Sequence, residues 1–438
     1  MLLFFHLPAL ATTAIALVIA VLTLLGIMTR PLKSNEAVIA LGGAILLLII
    51  GLITPLAAAL TLLSDWNIFL FFLGMMALAA LAESAGLFDW LAALAAQLAN
   101  GSARRLLLNT FLLGCLISML LSNDATALIL TPIVYTLVTR LRLPVLPFLF
   151  ACTFIADTAS FLLPVSNPIN IIILTRFQLN LWTFLRLLLL PSLVVISVNI
   201  IAFFLLYHTQ VRGRFDAKRL PSKAEAIKHS GYFRYTCIVL GIVAVAYIVA
   251  SALQIPLSLV ALGGALLLLI GALWWKQITF PDLGKQISWP IFGFIAGMFL
   301  VIQAVENTGL TAQFGQLLLR LSGGSNFGAV FVGTFGAAIG TNIINNLPMA
   351  IVMRSALSGV QHVAPSAHLG FIAATMFGCD LGPNLTTVGS LATMLWLLIL
   401  RRRNLDISSL DYFKVGILVT PLMLIAGAAV IWLFVSLP

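Results

Sequence analysis

The segment FIADTASFLLPVSNPINIII (residues 154–173) interrupts an apolar run with groups that a membrane helix normally excludes. It contains a carboxyl group at Asp157 and helix breakers at Pro164 and Pro168. Each proline lacks the backbone donor that an α-helix needs, and its ring crowds the carbonyl group one turn earlier. The segment therefore predicts a helix that is broken near its middle. Such a break is tolerated inside a membrane only where protein or a water-filled cavity covers the freed backbone.

The composition places this segment in a membrane protein. Of the 438 residues, 62% are hydrophobic and 8% are charged, and the mean hydropathy is +1.15. A run of about 20 apolar residues crosses a bilayer as a helix, and such runs fill most of the sequence. We therefore expect an all-α polytopic membrane protein. The first run, residues 7–28, has no Lys or Arg before it and is expected to be a retained span rather than a signal peptide.

An internal repeat predicts how the helices are organised. WNIFLFFLGMM at residues 66–76 returns as WPIFGFIAGMF at residues 289–299, and the same offset of 223 residues pairs Asp157 with Asp380. Because one offset holds over such a long stretch, we interpret the chain as a duplicated unit. The predicted units are residues 1–207 and 234–438, joined by a polar linker at residues 208–233.

One apolar segment in each half is interrupted at its centre by polar residues. The interruptions are SND at residues 122–124 and TNIINNLP at residues 341–348. Each arm of about 15 residues would extend only about 22 Å as a helix, which is short of a hydrocarbon core of about 30 Å. We therefore expect re-entrant hairpins at about 106–139 and about 326–356. Five crossings then remain in each half, and an odd number requires the second half to be inverted.

The distribution of Lys and Arg favours this topology. With ten crossings and two hairpins, 19 of the 23 basic residues lie on one side of the membrane. If all twelve segments crossed, the same 23 residues would divide 12 to 11. Because basic residues concentrate on the cytoplasmic side, we expect a cytoplasmic linker and both termini outside. The net charge of +10 is then explained by cytoplasmic loops, without nucleic acid.

The breaks and the hairpin tips predict a central binding site. Inverted repeats with discontinuous helices are typical of secondary transporters, which bind their substrates near the midplane where the repeats meet. The broken helices are expected at about 145–175 and about 367–400. The candidate binding residues are the amide and hydroxyl side chains of the tips and breaks, namely Asn123, Ser166, Asn167, Asn345, Asn346, Asn384, Thr386 and Thr387.

Three acids lie inside apolar stretches, far from any predicted loop: Asp124, Asp157 and Asp380. An ionisable residue inside the membrane is a functional candidate because its burial is costly. We interpret Asp157 and Asp380 as a symmetric proton-coupling pair, with Asp124 added at one hairpin tip. The offset pairs Asp124 with Leu347, so the halves are chemically unequal there. The structural alternative is that these carboxyl groups only cap helix ends.

Other kinds of site find little support in the sequence. The four cysteines, of which Cys379 lies beside Asp380, have no CxxC spacing and predict neither disulfides nor a zinc site. There is no phosphate-binding loop, so the chain should not hydrolyse nucleotide itself. No nucleophile–base or metal constellation is evident. We therefore expect a transporter without a metal or cofactor, rather than an enzyme.

Several strings resemble those of the ArsB-type arsenite and antimonite efflux permeases of the ion transporter superfamily. They are SNDATALILTPIV from residue 122, FIADTAS from residue 154, NNLP from residue 345 and GCDLGP from residue 378. The resemblance extends along nearly the whole chain. It implies extrusion of trivalent arsenic and antimony through the bacterial cytoplasmic membrane in exchange for protons. It also implies that a soluble ATPase subunit can associate with the protein. Asn384 stands where such relatives have lysine.

The chemistry of arsenite fits part of this expectation. Near neutral pH it is mostly an uncharged trihydroxide, which amides and hydroxyls can bind by reciprocal hydrogen bonds. Cys379 is the thiol to consider as a ligand, although a buried cysteine is more often a small apolar filler. Two alternatives remain open from the residues: a carrier of the same superfamily for Na⁺ in exchange with H⁺ or for an anion, and an uncoupled channel.

Overall fold

The computed structural model describes residues 9–29, 35–216, 220, 227–359 and 364–437. All the elements of regular structure in these residues are helices. Nine helices of the described chain are long and apolar enough to cross a membrane, by length and composition. Five basic residues that enter the predicted topology lie outside the described residues: Arg30, Lys33, Lys218, Arg219 and Lys223. The protein is therefore an all-helical, multi-span membrane protein.

The described part of the first half contains eleven α-helices and two short irregular helices. In chain order they are α1 (Ala9–Thr29), α2 (Glu36–Ile50), α3 (Pro55–Ser64), α4 (Trp66–Ser84), α5 (Leu87–Leu98), α6 (Ala103–Leu120), α7 (Asn123–Ala125), a π-helix (Thr126–Leu130), α8 (Thr131–Arg140), α9 (Val145–Thr158), a 3₁₀-helix (Pro164–Ser166), α10 (Pro168–Phe177) and α11 (Leu181–Leu206).

The described part of the second half contains ten further α-helices and one 3₁₀-helix. They are α12 (Ser230–Ala252), α13 (Leu257–Trp274), α14 (Phe280–Gln286), α15 (Pro290–Asn307), α16 (Leu310–Ser322), α17 (Asn326–Ile344), α18 (Asn346–Ser358), α19 (Pro365–Leu381), a 3₁₀-helix (Gly382–Leu385), α20 (Leu391–Arg402) and α21 (Ser409–Ser436).

The helix that begins at Val145 stops at Thr158 and resumes only at Pro168. Backbone groups freed by this interruption find side-chain partners inside the protein. Asn170 Nδ2 donates to the carbonyl oxygen of Ser160 at 2.8 Å, and Ser192 Oγ donates to that of Phe161 at 2.9 Å. In the second half, helix α19 stops at Leu381 and α20 begins at Leu391. Both interruptions are buried within the protein, where such backbone is tolerated.

The first arm of each expected hairpin is longer than about 15 residues. Helix α6 has 18 residues and helix α17 has 19, which correspond to about 27 and 29 Å at 1.5 Å per residue. Both belong to the helices that are long enough to cross a membrane. The helices that follow the tips are shorter, because α8 has 10 residues and α18 has 13. The hairpins therefore stay a prediction.

The two halves contact each other through matched pairs of helices. Helix α2 packs on α15, and α4 packs on α13. The repeat offset relates α2 to α13 and α4 to α15. Helix α2 therefore packs on the counterpart of α4, and α4 packs on the counterpart of α2. Glycines make both approaches close: a Cβ on Gly74 would lie 2.7 Å from the carbonyl carbon of Ala261, and one on Gly297 would lie 2.5 Å from that of Ala40.

Contacts along these pairs show the relative direction of the helices. In the first pair, a Cβ on Gly293 would meet Ala37 at 3.5 Å, and one on Gly297 would meet Ala40. The contacting residues thus advance together along both helices, so helices α2 and α15 run in the same direction. In the second pair, Gly74 of α4 lies against Ala261 of α13, and a Cβ on Gly264 would lie 3.3 Å from the Leu78 side chain. The contacting residues again advance together, so helices α4 and α13 also run in the same direction.

Replacing Gly297 with alanine is expected to lower the stability of the folded protein by about 1–3 kcal/mol, the usual cost of overpacking. The added methyl group would meet backbone atoms of Ala40, which cannot move aside without separating the helices. Thermal unfolding of the purified protein would measure the effect. Gly263→Ala is the control, because a Cβ on Gly263 has no neighbour within 4 Å. Equal midpoints for the two variants would contradict the close approach.

Candidate functional site

A small buried cavity lies where the two halves meet. Its volume is about 20 Å³, room for about one water molecule. Most of its lining consists of residues that the repeat offset pairs with one another. These pairs are Asn123 with Asn346, Asp124 with Leu347, Asn167 with Ser390, and Pro168 with Leu391, and the remaining lining residues are Phe72, Ile169 and Ile291.

Helical segments begin at this cavity. Helix α10 begins at Pro168, α18 at Asn346 and α20 at Leu391. Two of these starts are capped by lining side chains: Asn167 Oδ1 accepts from Ile169 N at 3.1 Å, and Ser390 Oγ accepts from Ala392 N at 3.1 Å. Because the N-terminus of a helix carries a partial positive charge, the cavity favours electron-rich oxygen atoms.

The carboxyl group of Asp157 lies one hydrogen bond behind the cavity wall. Its side chain is fully buried. Oδ1 accepts from Asn123 Nδ2 at 3.2 Å and from Ser390 Oγ at 3.3 Å, and Oδ2 accepts from Thr393 Oγ1 at 3.4 Å. Asp157 belongs to the first half, whereas Ser390 and Thr393 belong to the second. A change in the charge of Asp157 would therefore be felt by residues that line the cavity from both halves.

Asp380 occupies the corresponding position in the second half. It is also fully buried, and its Oδ1 accepts from Asn167 Nδ2 at 2.8 Å. Asn167 belongs to the first half and is the repeat partner of Ser390. Each carboxyl group is thus held by the broken helix of the other half. The partners differ in chemistry, because Asp380 is bound by an amide and Asp157 also by two hydroxyls.

Asp124 differs from the other two acids because it lines the cavity directly. Its backbone N–H donates to Asn123 Oδ1 at 2.9 Å, which turns the amide group of Asn123 toward Asp157. The opposite wall has the apolar Leu347 at the matching position. Among the described residues, no group of three His, Cys, Asp or Glu side chains is arranged to hold a metal ion.

The other predicted binding residues do not line the cavity. Five of them make hydrogen bonds that fix the tips and breaks to neighbouring elements, and Cys379 is fully buried within α19. The bonds run from Ser166 to Met119 O, from Asn345 to Val388 O, from Asn384 to Phe154 O and Thr158 Oγ1, from Thr386 to Asn342 Oδ1, and between Thr387 and Ser409.

Sequence reasoning missed Ser390 and Thr393. Both follow the second break, and the repeat offset pairs them with Asn167 and Asn170. That pairing was a usable signal, because Asn167 was already a candidate. The hydroxyl side chains were overlooked because serine and threonine are common in membrane helices and need no functional explanation there.

A second, larger cavity lies near one face of the site. Its volume is about 490 Å³, and it is lined by one face of the helical stretch from Ile129 to Arg140 together with the start of helix α5. The charged side chains in its wall are Glu83, Asp89, Arg140, Lys228 and Arg403. Ile129 follows Asp124 by five residues, about 8 Å along a helix. This second cavity, which we call the vestibule, therefore lies along the stretch that follows Asp124 in the chain.

A buried ion pair joins the two halves at another place. Arg354 donates to both carboxylate oxygens of Asp65, from Nη1 at 2.9 Å and from Nη2 at 2.8 Å. The side chains are 16% and 7% exposed, and the guanidinium group lies 5.2 Å from the ring centre of Phe299. The offset relates these positions to Thr131 and Ser288, so this pair has no repeat counterpart.

Comparisons with known proteins agree with this architecture. The family model described as "Arsenical pump membrane protein" (ArsB) matches residues 15–435. The arsenical pump membrane protein of Escherichia coli K12 is 32% identical over 94% of this chain and 96% of its own length. That of Yersinia enterocolitica is 33% identical over 83% of this chain and 86% of its own.

Two solved transporters share the fold at low identity. The YdaH transporter of Alcanivorax borkumensis has a TM-score of 0.60 and 14% identity, over 88% of this chain and 90% of its own. The MtrF efflux pump of Neisseria gonorrhoeae has a TM-score of 0.55 and 12% identity, over 98% and 95%. The family match covers nearly the whole chain, including every residue of the central cavity. This chain belongs to the ArsB family of arsenical pump membrane proteins.

Proposed function

We propose that this chain is a secondary active transporter that extrudes trivalent arsenic, as arsenite and also antimonite, from the bacterial cytoplasm in exchange for protons. The observation that carries the proposal is the central cavity, which is lined by matched residues of the two repeats. A buried carboxyl group lies directly behind each side of its wall, Asp157 behind Asn123 and Asp380 behind Asn167. Family membership supports arsenic as the substrate.

The lining chemistry suits a small neutral hydroxide. Asn123, Asn167, Asn346 and Ser390 offer amide and hydroxyl groups, which can donate to and accept from the three hydroxyls of arsenite. No cysteine is among the described residues that line the cavity, which suits a carrier because a covalent arsenic–sulfur bond would slow release. The cavity has room for about one water molecule, so it must widen to admit the substrate.

The direction of the helices supports an inverted repeat. Helices α2 and α15 run in the same direction, and α15 is the repeat counterpart of α4. Helix α3 has 10 residues, about 15 Å, and is too short to cross a membrane. In the predicted topology α2 and α4 are successive crossings and run in opposite directions, which makes α4 and α15 antiparallel. Antiparallel counterparts are what alternating access by two inverted units requires.

The two faces of the site differ in a way that supports alternating access. The charged vestibule lies along the helical stretch that follows the first hairpin tip, on the side that carries Arg140, Lys228 and Arg403, which the positive-inside rule assigns to the cytoplasm. The Asp65–Arg354 pair belongs to the face where basic residues are scarce. We interpret the vestibule as the cytoplasmic approach for the substrate and the ion pair as part of the external closure.

Proton exchange is assigned to the three buried acids, with Asp157 and Asp380 as the pair and Asp124 at the cavity wall. The protein would lie in the cytoplasmic membrane with both termini outside and its linker in the cytoplasm. A soluble ATPase subunit, if present, would dock on that cytoplasmic face. These assignments extend the predictions made from the sequence.

Transport by everted membrane vesicles would test the proposed function. An imposed proton gradient, acidic inside, is expected to drive arsenite and antimonite into vesicles that contain the protein, and the uptake should collapse with a protonophore. Sodium uptake under the same gradient would instead identify the Na⁺/H⁺ exchanger. Arsenite flux that follows only its own gradient would identify a channel. Vesicles without the protein are the control for each measurement.

Cys379→Ala is expected to retain arsenite transport at a rate within about twofold of the unmodified protein. The thiol is fully buried in helix α19 and does not line the cavity, and small apolar substitutions of this kind perturb packing only modestly. Arsenite uptake per molecule of protein in vesicles would measure it. Cys237→Ala, which changes an exposed thiol, is the matched control. A loss confined to Cys379→Ala would make this thiol a ligand.

A further inference from the structure

An apolar pocket lies beside the first break, outside the site described above. Its volume is about 310 Å³. Residues 163–165 of the break form one part of its wall, and the end of α6 and the facing parts of helices α11 and α12 form the rest. At about 30 Å³ for a group the size of a water molecule or a methylene, the pocket has room for about ten carbon atoms of an acyl chain.

The hydroxyl groups in the wall of this pocket are already bonded. The Tyr247 hydroxyl donates to Met75 Sδ at 3.1 Å, and Ser251 Oγ accepts from Leu181 N at 3.1 Å. No charged residue is among the described residues that line the pocket. A polar solute would therefore lose its hydrogen bonds to water on entering, and that loss is costly. A hydrocarbon chain has no such bonds to lose, so the pocket suits an apolar occupant.

The rim of the pocket faces the lipid. Trp182 of α11 is 67% exposed and Ile248 of α12 is 55% exposed, whereas Val165 and Val243 in the wall are buried. Both helices are long and apolar enough to cross a membrane, so their exposed apolar side chains contact acyl chains. Tryptophan is enriched where the hydrocarbon meets the headgroups. The pocket is therefore open to the chain of a lipid in the surrounding bilayer.

A positive charge lies beside this rim. Arg186 follows Trp182 by four residues, and residues four apart are neighbours on a helix surface. Its side chain is exposed and has no hydrogen-bond or ion-pair partner among the described residues. Helix α11 has 26 residues, about 39 Å, and so extends beyond a hydrocarbon core of about 30 Å. The long side chain of Arg186, about 8 Å from the start of the helix, can reach the headgroups.

We infer that this pocket binds one anionic phospholipid. An acyl chain occupies the pocket, and the phosphate group accepts hydrogen bonds from Arg186, whose planar fork of donors matches phosphate. A headgroup with net negative charge is preferred, because it brings no cation to repel the guanidinium group. The predicted topology places the start of α11 outside, so this lipid belongs to the outer leaflet of the cytoplasmic membrane. The inference does not depend on which substrate is transported.

The acyl chain contacts the first break and thereby steadies the central cavity. Ser166 Oγ accepts from Leu163 N at 3.3 Å and donates to Met119 O at 3.3 Å. Leu163 and Met119 both line the lipid pocket, whereas Asn167, the residue after Ser166, lines the central cavity. A ligand that binds the folded protein and not the unfolded chain raises its stability. Bound phospholipid should therefore raise the thermal unfolding midpoint.

Native mass spectrometry of the detergent-purified protein tests the inference, with dioleoylphosphatidylglycerol as the anionic probe and dioleoylphosphatidylcholine as the zwitterionic one. One phosphatidylglycerol molecule is expected to bind more tightly than any phosphatidylcholine. Arg186→Gln should weaken its binding about tenfold, the effect of losing one hydrogen bond to a charged group. Arg320→Gln, which changes an exposed arginine that does not line the pocket, is the matched control and should bind phosphatidylglycerol as the unmodified protein does.

Filling the pocket provides a second variant. Ala244→Phe places a ring among the lining residues and should abolish both the tight binding and the rise of the unfolding midpoint with phosphatidylglycerol. Val245→Phe is its control, because Val245 is 61% exposed on the same helix and lies outside the pocket.

Equal binding of phosphatidylglycerol by the unmodified protein and Arg186→Gln, or equal binding of the two lipids, would overturn the inference. A loss in Ala244→Phe alone would also overturn it, because the pocket would then select a hydrocarbon chain without its headgroup. Arg186→Gln changes only an exposed side chain, so its comparison stays decisive even where Ala244→Phe does not fold.

Discussion

Asp157→Asn is expected to abolish proton-driven arsenite uptake by everted vesicles while the protein stays folded. An asparagine can occupy the same site, because its oxygen can accept from Asn123 and Ser390 and its amide can donate to Thr393. What the variant lacks is the change of charge that links proton binding to the movement of the halves. Uptake driven by the gradient should fall to the level of vesicles without the protein.

Exchange of external for internal arsenite separates coupling from binding. Because the hydrogen bonds of the site persist in Asp157→Asn, this exchange should continue without a proton gradient. Asp406→Asn is the control, since Asp406 is 85% exposed and pairs with Arg401 at the surface, where ion pairs contribute little. Undiminished gradient-driven uptake by Asp157→Asn would remove this residue from the coupling mechanism.

The second large effect is expected at the ion pair between Asp65 and Arg354. Removing one partner of a buried ion pair leaves an uncompensated charge and typically costs about 3–5 kcal/mol. Arg354→Met should therefore lower the thermal unfolding midpoint of the purified protein strongly. The double variant Asp65→Asn with Arg354→Met should recover much of the loss, because neither charge is then left alone.

A surface pair provides the matched comparison for this experiment. Lys285 and Asp282 are 3.6 Å apart, with side chains 78% and 53% exposed. Exposed pairs of this kind contribute little, so Lys285→Met should unfold at the original temperature. Equal effects of Lys285→Met and Arg354→Met would mean that the buried pair is not important for stability. Because this pair belongs to the proposed external closure, Arg354→Met should also reduce arsenite transport.

Much of the site followed from the repeat. The offset of 223 residues paired Asn123 with Asn346 and Asp157 with Asp380, and the structure places the first pair in the cavity wall and the second directly behind it. Residues next to the breaks were harder to assign. Thr386 and Asn384 resemble binding residues in composition, yet their hydrogen bonds hold the chain in place at the second break.

The limits of the sequence were clearest where a single residue departs from the repeat. Asp65 and Arg354 have Ser288 and Thr131 as counterparts, so no symmetry argument could bring them together. They are 289 residues apart in the chain, and only the tertiary fold brings Arg354 of α18 to Asp65, the residue that precedes α4. The first hairpin arms, α6 and α17, are longer than expected for a different reason, since hydropathy does not mark where the last turn of a helix ends.

The sequence by itself determined the membrane environment and the positions of the helix breaks, and it predicted the duplication. These properties can be read from the order of the residues alone. The length of an apolar run, a repeated string and the stereochemistry of proline do not depend on which residues are neighbours in space. Tertiary structure decided which polar groups face one another. Only the exchange of broken helices between the halves sets Ser390 and Thr393 against Asp157 and sets Asn167 against Asp380. Equivalent acids thereby acquire unequal partners, because hydrogen bonding depends on atoms within about 3.5 Å in space and not on position in the chain.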